Sequence, residues 1–569
     1  MAEIRSSTED RVAPPLVVDD PSRFAWDNEA DVIVVGFGGA GLSAAIQARE
    51  SGAGVIAIDR FAGGGATRYS GGVYYAGGGT KYQREGGVND TPEEMFKYLR
   101  AEGTPLTDAT LRRLCERSVA DFEWIEAHGV PFAGNPYFKK TAYPPHPHYL
   151  YYSGNEATPA FMDKSRPAPR GHRPMVSGFG GYLYYEKLSA VASRLGVRFF
   201  PHTPARRLIL DRDRQVIGIE VNAIPEELWN KRDELYAKVS PMKPLNAKRA
   251  QRAIDACNAM EAAVSAPKRF RARAGVILAT GGFVNNVDML RKYRRVLGDN
   301  YLGIQRLGSM GCDGSGIAMG QSVGGATQLM ERMFLARMIA PPEAFLGGVI
   351  VNSTGQRFVN EDAYTSIVGN AIAEQDQSGM AWLILDATHF WQAIKQSLFP
   401  GKNVFLIYGA PALMNIFLGG TKRGTSLRAL AKKCGVDPAG LESTIAAFNA
   451  NTGDGAIDPL GKSPDKLKLI RGSSYYAVNV SISNKFAPAW VFTLGGLEVE
   501  QETGLVRNVD GRPIRGLYAA GRTAVGLCSM AYNMSGSSIA DTVFSGRRAA
   551  VHAVSGMNST KAPASGTEP

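Results

Sequence analysis

Residues 31–59 constrain the fold more than any other stretch of the chain. Asp31-Val-Ile-Val-Val35 is a continuous apolar, β-branched run of the kind that forms a parallel strand buried on both faces. It passes directly into Gly36-Phe-Gly-Gly-Ala-Gly41, then into the helix-forming Leu42–Glu50, and past Gly52 into a second strand, Gly54–Ile58, that ends in Asp59. In this order the elements make a βαβ unit with the dinucleotide fingerprint. Each glycine has its own duty: Gly36 permits the tight turn, Gly38 lets the backbone reach a pyrophosphate, and Gly41 lets the helix approach the strand. The helix N-terminus, which follows Gly39 and Ala40 of the fingerprint, offers N–H groups to phosphate. Asp59, 18 residues beyond Gly41, is placed to accept hydrogen bonds from a ribose.

A nicotinamide domain closes within about 150 residues, and this one does not. A second glycine-rich strand end, Gly275-Val-Ile-Leu-Ala-Thr-Gly-Gly-Phe283, begins 239 residues after Gly36, and a third, Gly516-Leu-Tyr-Ala-Ala-Gly521, lies near the C-terminus. The nucleotide domain is therefore discontinuous, its last piece following a hairpin over 496–515 with turns at Thr503-Gly504 and Asp510-Gly511. The 65 glycines exceed the roughly 40 that average usage gives a chain this long, and their clustering after apolar runs points to backbone approaching a ligand.

Six motifs stand in order: GFGGAG at Gly36, SGG at Ser70, ATGGF at Ala279, RFVNE at Arg357, TLGGL at Thr493 and GLYAAG at Gly516. With them the chain resembles the flavoprotein family of fumarate reductases, succinate dehydrogenases and 3-ketosteroid dehydrogenases over nearly its whole length. The resemblance implies an α/β fold: a discontinuous Rossmann-like FAD-binding domain over 30–300 and 480–555, with an inserted α+β catalytic domain over 301–479. It implies that FAD is held by the fingerprint residues with Asp59 and Arg60, by Thr67, Ser70, Gly71 and Gly72, by Ala205, by Ala279, Thr280 and Gly281, and by Gly521, Arg522, Ser537, Ser538 and Ile539. Relatives with covalent flavin carry a linking histidine in the stretch 66–80. Here that stretch holds Tyr69, Tyr74 and Tyr75 but no histidine, so FAD is expected to be non-covalent.

Catalytic positions discriminate within the family. Fumarate reductases grip two carboxylates with cations, yet here Met534 follows Asn533, Trp490-Val-Phe492 precedes TLGGL, and Asp362-Ala-Tyr-Thr365 follows RFVNE. A dicarboxylate would lack charge partners. The pattern is similar to that of 3-ketosteroid dehydrogenases, which implies that Tyr532, helped by the Gly536 N–H, polarises the 3-oxo group, Ser535 accepts the proton and Tyr364 relays it. Enzymes acting at carbons 1 and 2 carry a tyrosine four residues past the motif glutamate, where this chain has Thr365. Those acting at carbons 4 and 5 (the Δ4 type) carry it three past, as Tyr364 is from Glu361, with a serine on the later turn. In that group the turn tyrosine lies two residues before the serine, whereas Tyr532 and Ser535 are three apart. Desaturation at carbons 4 and 5 is the reading, with carbons 1 and 2, or an electron-transfer or fumarate reductase-like flavoprotein, as alternatives. The electron acceptor and oligomeric state are left open.

Other stretches carry weaker signals. Met310, Met330, Met333, Phe334, Leu335, Met338 and Ile339 are candidates for an apolar wall, although such a stripe on a helix more often reads as core. Residues 225–274 read as one or two polar-faced helices making a solvated excursion, with an oligomer contact or a membrane-surface helix as alternatives. Residues 427–448 read as a helical pair, Pro167–His172 as loop, and 556–569 as a disordered tail. The net charge of +11 is scattered and does not suggest nucleic acid. Seven histidines show no metal spacing, and five separated cysteines suggest a reducing compartment. With no apolar window of spanning length and no signal-peptide pattern, a cytoplasmic protein without an integral membrane segment is expected.

Overall fold

The computed structural model describes residues 11–561 except 140, 142, 240–245, 264–266, 376–378, 400–404 and 454–456. The first apolar run forms the strand Asn28–Val35, paired in parallel with Val55–Ile58 on one side and with Phe270 to Leu278 of the long strand Pro267–Leu278 on the other. Being central and covered on both faces, its Val32, Ile33 and Val34 are fully buried, which explains the unbroken apolar sequence. Along the sheet the order is Leu16–Val17, Ala205–Leu210, Val216–Asn222, Pro267–Leu278, Asn28–Val35, Val55–Ile58 and Arg198–Phe200. The C-terminal strand Pro513–Ala519 joins it in parallel at Val276–Leu278. Strands distant in sequence thus put all three glycine-rich strand ends at one edge of one sheet. The expected hairpin is present, Leu505–Arg507 pairing antiparallel with Pro513–Ala519.

Over this sheet the fingerprint helix Gly39–Glu50 packs against the C-terminal helix Ser537–Lys561. The approach is close enough that a Cβ at Gly546 would lie 2.5 Å from Ala40 O. The C-terminal helix continues past 556, where composition suggests disorder; residues 562–569 lie outside the described residues.

Between the sheet's pieces, an antiparallel sheet is ordered Val349–Val351, Trp382–Asp386, Tyr475–Asn479 and Lys422–Gly424, and helices pack on it. The predicted pair forms as Leu427–Cys434, N-capped by Ser426 and ended by Gly435 at φ +68°, and Pro438–Ala450, N-capped by Asp437. A three-stranded junction sheet brings Gln305–Arg306 and Met333–Ala336 to either side of Trp490–Thr493, with Phe334 directly opposite Phe492. Residues 333–336 are therefore strand, not a helical stripe.

The segment 225–274 also departs from expectation. Its helices Trp229–Ala237 and Ala247–Ala263 are not a solvated excursion: Ala250, Ala253, Ile254 and Cys257 form a buried cluster with Phe61 and Met310. These residues recur at helical spacing, but their small size among lysines and arginines gives a weak apolar signal.

Candidate active site

A cavity of about 1020 Å³ extends from the fingerprint turn to the junction sheet. At the first end the three fingerprint glycines separate by cause. A Cβ on Gly36, whose φ is +97°, would lie 2.5 Å from Ala279 O, and one on Gly41 would lie 1.8 Å from Gly36 O. Both are required by the chain's own packing. A Cβ on Gly38 would meet no protein atom within 3.4 Å, its nearest neighbour being Gly65 Cα at 3.5 Å. Gly38 faces the cavity, so this glycine answers to what the cavity holds. Gly38 is also the N-cap residue of Gly39–Glu50 and contributes no side-chain cap, which suits an anionic group at the helix start. These features fit the diphosphate of a dinucleotide.

Asp59 lines the cavity, but its oxygens already accept the backbone N–H groups of Phe37 and Phe61, each at 2.8 Å. Its first task is to brace the glycine turn; burial raises its pKa against those two bonds. Beside it Arg60 donates to Glu261 at 2.8 Å, Asp313 at 2.6 Å and Asn258 at 2.7 Å. Burial alone would lower the Arg60 pKa; the two carboxylates more than offset it. Arg11 bonds Asn258 at 3.0 Å, and Arg232 bonds Glu261 and the Arg60 carbonyl, both at 2.8 Å. Asn258, Ala259, Glu261 and Ala262 line the cavity. The inserted helices thus form a wall of the nucleotide end, a role absent from the sequence reading because its partners lie about 200 residues away.

Of the residues assigned to FAD, Gly36, Gly38, Gly39, Ala40, Asp59, Arg60, Thr67, Ser70, Gly71, Gly72, Ala205, Ala279, Thr280, Gly281, Gly521, Arg522, Ser538 and Ile539 line this one cavity. Gly41 and Ser537 do not. Gly41 serves helix packing, and Ser537 is buried, its hydroxyl donating to Met534 O at 2.8 Å. Arg522 adds a buried Nη1 without a hydrogen-bond partner, on a side chain that lines the cavity. No histidine lines the cavity, and no metal-ligating cluster occurs among the described residues.

The other end is aromatic. Phe334 and Phe492 are stacked at 4.6 Å, and Tyr532 meets them edge-on at 5.1 and 5.0 Å. Trp490, Met338, Tyr143, Phe179 and Tyr408 also line this cavity. Of the seven apolar wall candidates only Phe334 and Met338 do so. Strand alternation turns Met333 and Leu335 into the core, where Met330 and Ile339 also lie, and Met310 packs beneath the inserted helices. Of the neutral positions that replace cations, Phe492 and Thr365 line the cavity whereas Met534 is buried behind it.

The three hydroxyls meet here although two come from 171 residues apart. Tyr364 Oη lies 2.9 Å from Ser535 Oγ, and the Gly536 N–H donates to Tyr532 Oη at 3.0 Å. The expected pairing of Tyr532 and Gly536 on a shared acceptor is thus a relay in this structure: the amide polarises the phenol, leaving the phenolic proton to donate outward. Gly536 has φ +97°, and a Cβ there would come within 2.8 Å of Tyr75 N. Burial pushes Tyr364 well above the ordinary tyrosine pKa, with Tyr532 acting the same way and the Ser535 hydrogen bond opposing. Burial raises Tyr532 too, against the Gly536 N–H.

Behind this turn lies a layer that sequence reasoning missed. The Ser535 N–H donates to Ser153 O at 2.8 Å, Ser366 Oγ donates to Tyr532 O at 2.8 Å, and Asn533 Nδ2 donates to Glu102 at 3.1 Å. Glu156 is fully buried and accepts the Gly154 N–H at 2.8 Å; burial lifts its carboxyl to about 7, against its own backbone hydrogen bond and Arg170. Arg170 is clamped by Asp90 at 2.9 and 2.7 Å. The segment Pro167–His172, expected to be loop, contributes the strand Gly171–His172 against Tyr74–Tyr75, whose Tyr75 N–H reaches Gly536 O at 3.3 Å. Burial takes His172 down to about 4, keeping it a neutral link between Thr80 and the Arg170 carbonyl.

A family model described as an FAD binding domain matches residues 31–539. The chain is 38% identical over 527 residues, 90% of its length and 96% of the relative's, to a 3-oxo-5-alpha-steroid 4-dehydrogenase of Comamonas testosteroni. Among solved structures, the 3-ketosteroid-delta4-(5alpha)-dehydrogenase of Rhodococcus jostii RHA1 in complex with 4-androstene-3,17-dione aligns with a TM-score of 0.76 at 29% identity, covering 95% of this chain and all of that one. The 3-ketosteroid delta1-dehydrogenase of Sterolibacterium denitrificans aligns with a TM-score of 0.63 at 20% identity, covering 93% of this chain and all of that one, a likeness of fold.

Proposed function

The chain belongs to the FAD binding domain family, and from that premise we propose that it is an FAD-dependent oxidoreductase that dehydrogenates the A ring of a 3-ketosteroid at carbons 4 and 5. The observation that carries the site assignment is the Tyr364–Ser535 pair beside Tyr532 in an aromatic-walled end of the FAD cavity. We assign FAD, held non-covalently, to the length of the cavity, and the segment 301–479 to the catalytic domain. Bound FAD would supply the acceptor for the hydride that leaves carbon 5.

The chain's own residues do the rest. Tyr532 donates its phenolic proton in a hydrogen bond to the 3-oxo oxygen, strengthened because Gly536 N–H donates into the same phenol oxygen. Charge drawn onto that oxygen acidifies carbon 4. Ser535 Oγ accepts the carbon 4 proton as its own proton passes to Tyr364 Oη, so neither hydroxyl carries a full charge. Tyr364 in turn releases a proton towards solvent. Phe334, Phe492 and Trp490 exclude water and present no charge to a dicarboxylate.

Among the described residues no helix is long and apolar enough to cross a membrane. All five cysteines are free and buried, which supports the reading of a reducing, cytoplasmic compartment. The test of function is product identification after incubating purified protein with a saturated 5α-3-ketosteroid and an artificial electron acceptor. A double bond between carbons 4 and 5 is expected; a double bond between carbons 1 and 2 would overturn the assignment.

A further inference from the structure

We propose that the helical ledge formed by Ala387–Leu398 and Ala410–Leu418 is a docking surface for an anionic lipid bilayer, set beside the cavity so that an apolar substrate enters from the membrane. The ledge is built inside out. Ala410–Leu418 reads Ala-Pro-Ala-Leu-Met-Asn-Ile-Phe-Leu, and its one polar side chain, Asn415, is buried and accepts from Asn484 Nδ2 at 2.7 Å. Phe417 and Leu418 are 66% and 58% exposed. Ala387–Leu398 buries Phe390, Ala393 and Ile394 and turns Trp391, Lys395 and Leu398 outward at helical spacing, with Phe399 following at 80% exposure. Both helices pack on each other and on the turn Phe405–Gly409, whose Phe405 is also exposed. One exposed leucine needs no explanation, but six large apolar side chains on one packed unit mark an interaction surface.

Charge selects the occupant. The 50 residues between Asp386 and Asp437 contain no Asp or Glu and seven Lys or Arg, although 53 acids are spread over the whole chain. Lys395, Lys422, Arg423, Lys432 and Lys433 are exposed. Arg423 lies 6.0 Å from the ring of Tyr476, which stacks on Phe390 at 3.9 Å and is 6.5 Å from Trp391, so cation and tryptophan share one corner. Acids on adjoining elements are committed elsewhere: Asp386 caps the helix and holds His389, Glu442 holds Arg428, and Glu343 faces Lys466. A second copy docked face to face would bring like charges together, whereas aromatic and aliphatic groups rimmed by cations match an anionic lipid interface. Tyr408, in the turn at the head of Ala410–Leu418, lines the cavity, so the ledge itself contributes to the cavity wall. The entry role rests on the steroid reading; the docking does not.

The test is co-sedimentation of the FAD-loaded full chain with vesicles of phosphatidylcholine plus phosphatidylglycerol, and with phosphatidylcholine alone. Pelleting with the anionic vesicles that weakens with salt is expected. Phe417→Ser/Leu418→Ser and, separately, Trp391→Ser should each lower vesicle affinity about tenfold or more with FAD content unchanged. No pelleting with anionic vesicles, equal pelleting of the variants, or a stable dimer that Phe417→Ser dissolves would each overturn the proposal. Equal turnover of vesicle-borne steroid by wild type and the double variant would overturn the entry role. Absence of turnover on free steroid by the wild type would instead mark failure of the steroid reading, which the pelleting result does not depend on.

Discussion

The two ends of the cavity are made of opposite materials. At the nucleotide end, backbone and paired charges dominate: glycines admit the ligand, and Arg11, Arg60 and Arg232 are held against Asn258, Glu261 and Asp313. At the substrate end, aromatic rings form the wall and three hydroxyls supply the polarity, with the Arg522 guanidinium lying 5.1 Å over the Phe492 ring. A buried network of paired charges gives rigidity and recognises a large polar cofactor, whereas neutral hydroxyls in an apolar pocket pass a proton without stranding an ion.

The comparison breaks most sharply at Gly38. Gly38→Val should abolish FAD retention while the protein still folds, since its Cβ enters the cavity and not the protein; absorbance of the purified protein and a thermal melt read the two effects separately. Gly41→Val should lose both. At the other end, Ser535→Ala and Tyr364→Phe should each slow steroid turnover by about a thousandfold and spare FAD. Their double variant should be little worse than the poorer single, because the pair acts as one unit. Multiplied losses would separate the two residues.

Glu156 tests whether the layer behind the substrate end holds a carboxyl shifted towards its neutral form. Its folded carboxyl titrates at about 7, above the ordinary 4.5, so its contribution to stability is full below about 4.5 and is lost as pH rises through 7. Glu156→Gln should therefore be more stable than wild type at pH 8, by about 3 kcal/mol, and not at pH 4. Urea unfolding at the two values decides, and an equal difference at both would refute the titration. Tyr532→Phe should cost about a hundredfold in turnover, the size of one lost oxyanion donor. The smallest effect belongs to the inserted wall. Glu261→Gln, which weakens the hold on Arg60 and Arg232, should raise the FAD dissociation constant by about tenfold, followed by flavin fluorescence.

What was legible followed the same division. The fingerprint was readable because strand, turn and helix are set by neighbours within 30 residues, and the φ of Gly36 and the crowding at Gly41 confirm two of its glycines. The helical pair at 427–450 was readable for the same reason, its caps being local. Tyr364, Tyr532 and Ser535 were picked out by motif resemblance, but spacing alone did not say that Tyr364 and Ser535 touch. Misreadings fell where tertiary pairing overrode local pattern. The run at 333–336 is strand because Trp490–Thr493 lies beside it, and the inserted helices are wall because Arg60 and Phe61 receive them.

By itself, then, the sequence determined the nucleotide-binding βαβ unit, the discontinuity of its domain and the neutral residues at Thr365, Phe492 and Met534. Backbone geometry and residue chemistry act locally and survive without knowledge of contacts. Only the tertiary structure decided which phenol meets the serine, which way the Gly536 N–H points, that Asp59 braces a turn, and that burial lifts the Glu156 carboxyl to about 7. Those properties depend on distance and desolvation, which side-chain placement and packing set, for Tyr364 and Ser535 across 171 residues of chain.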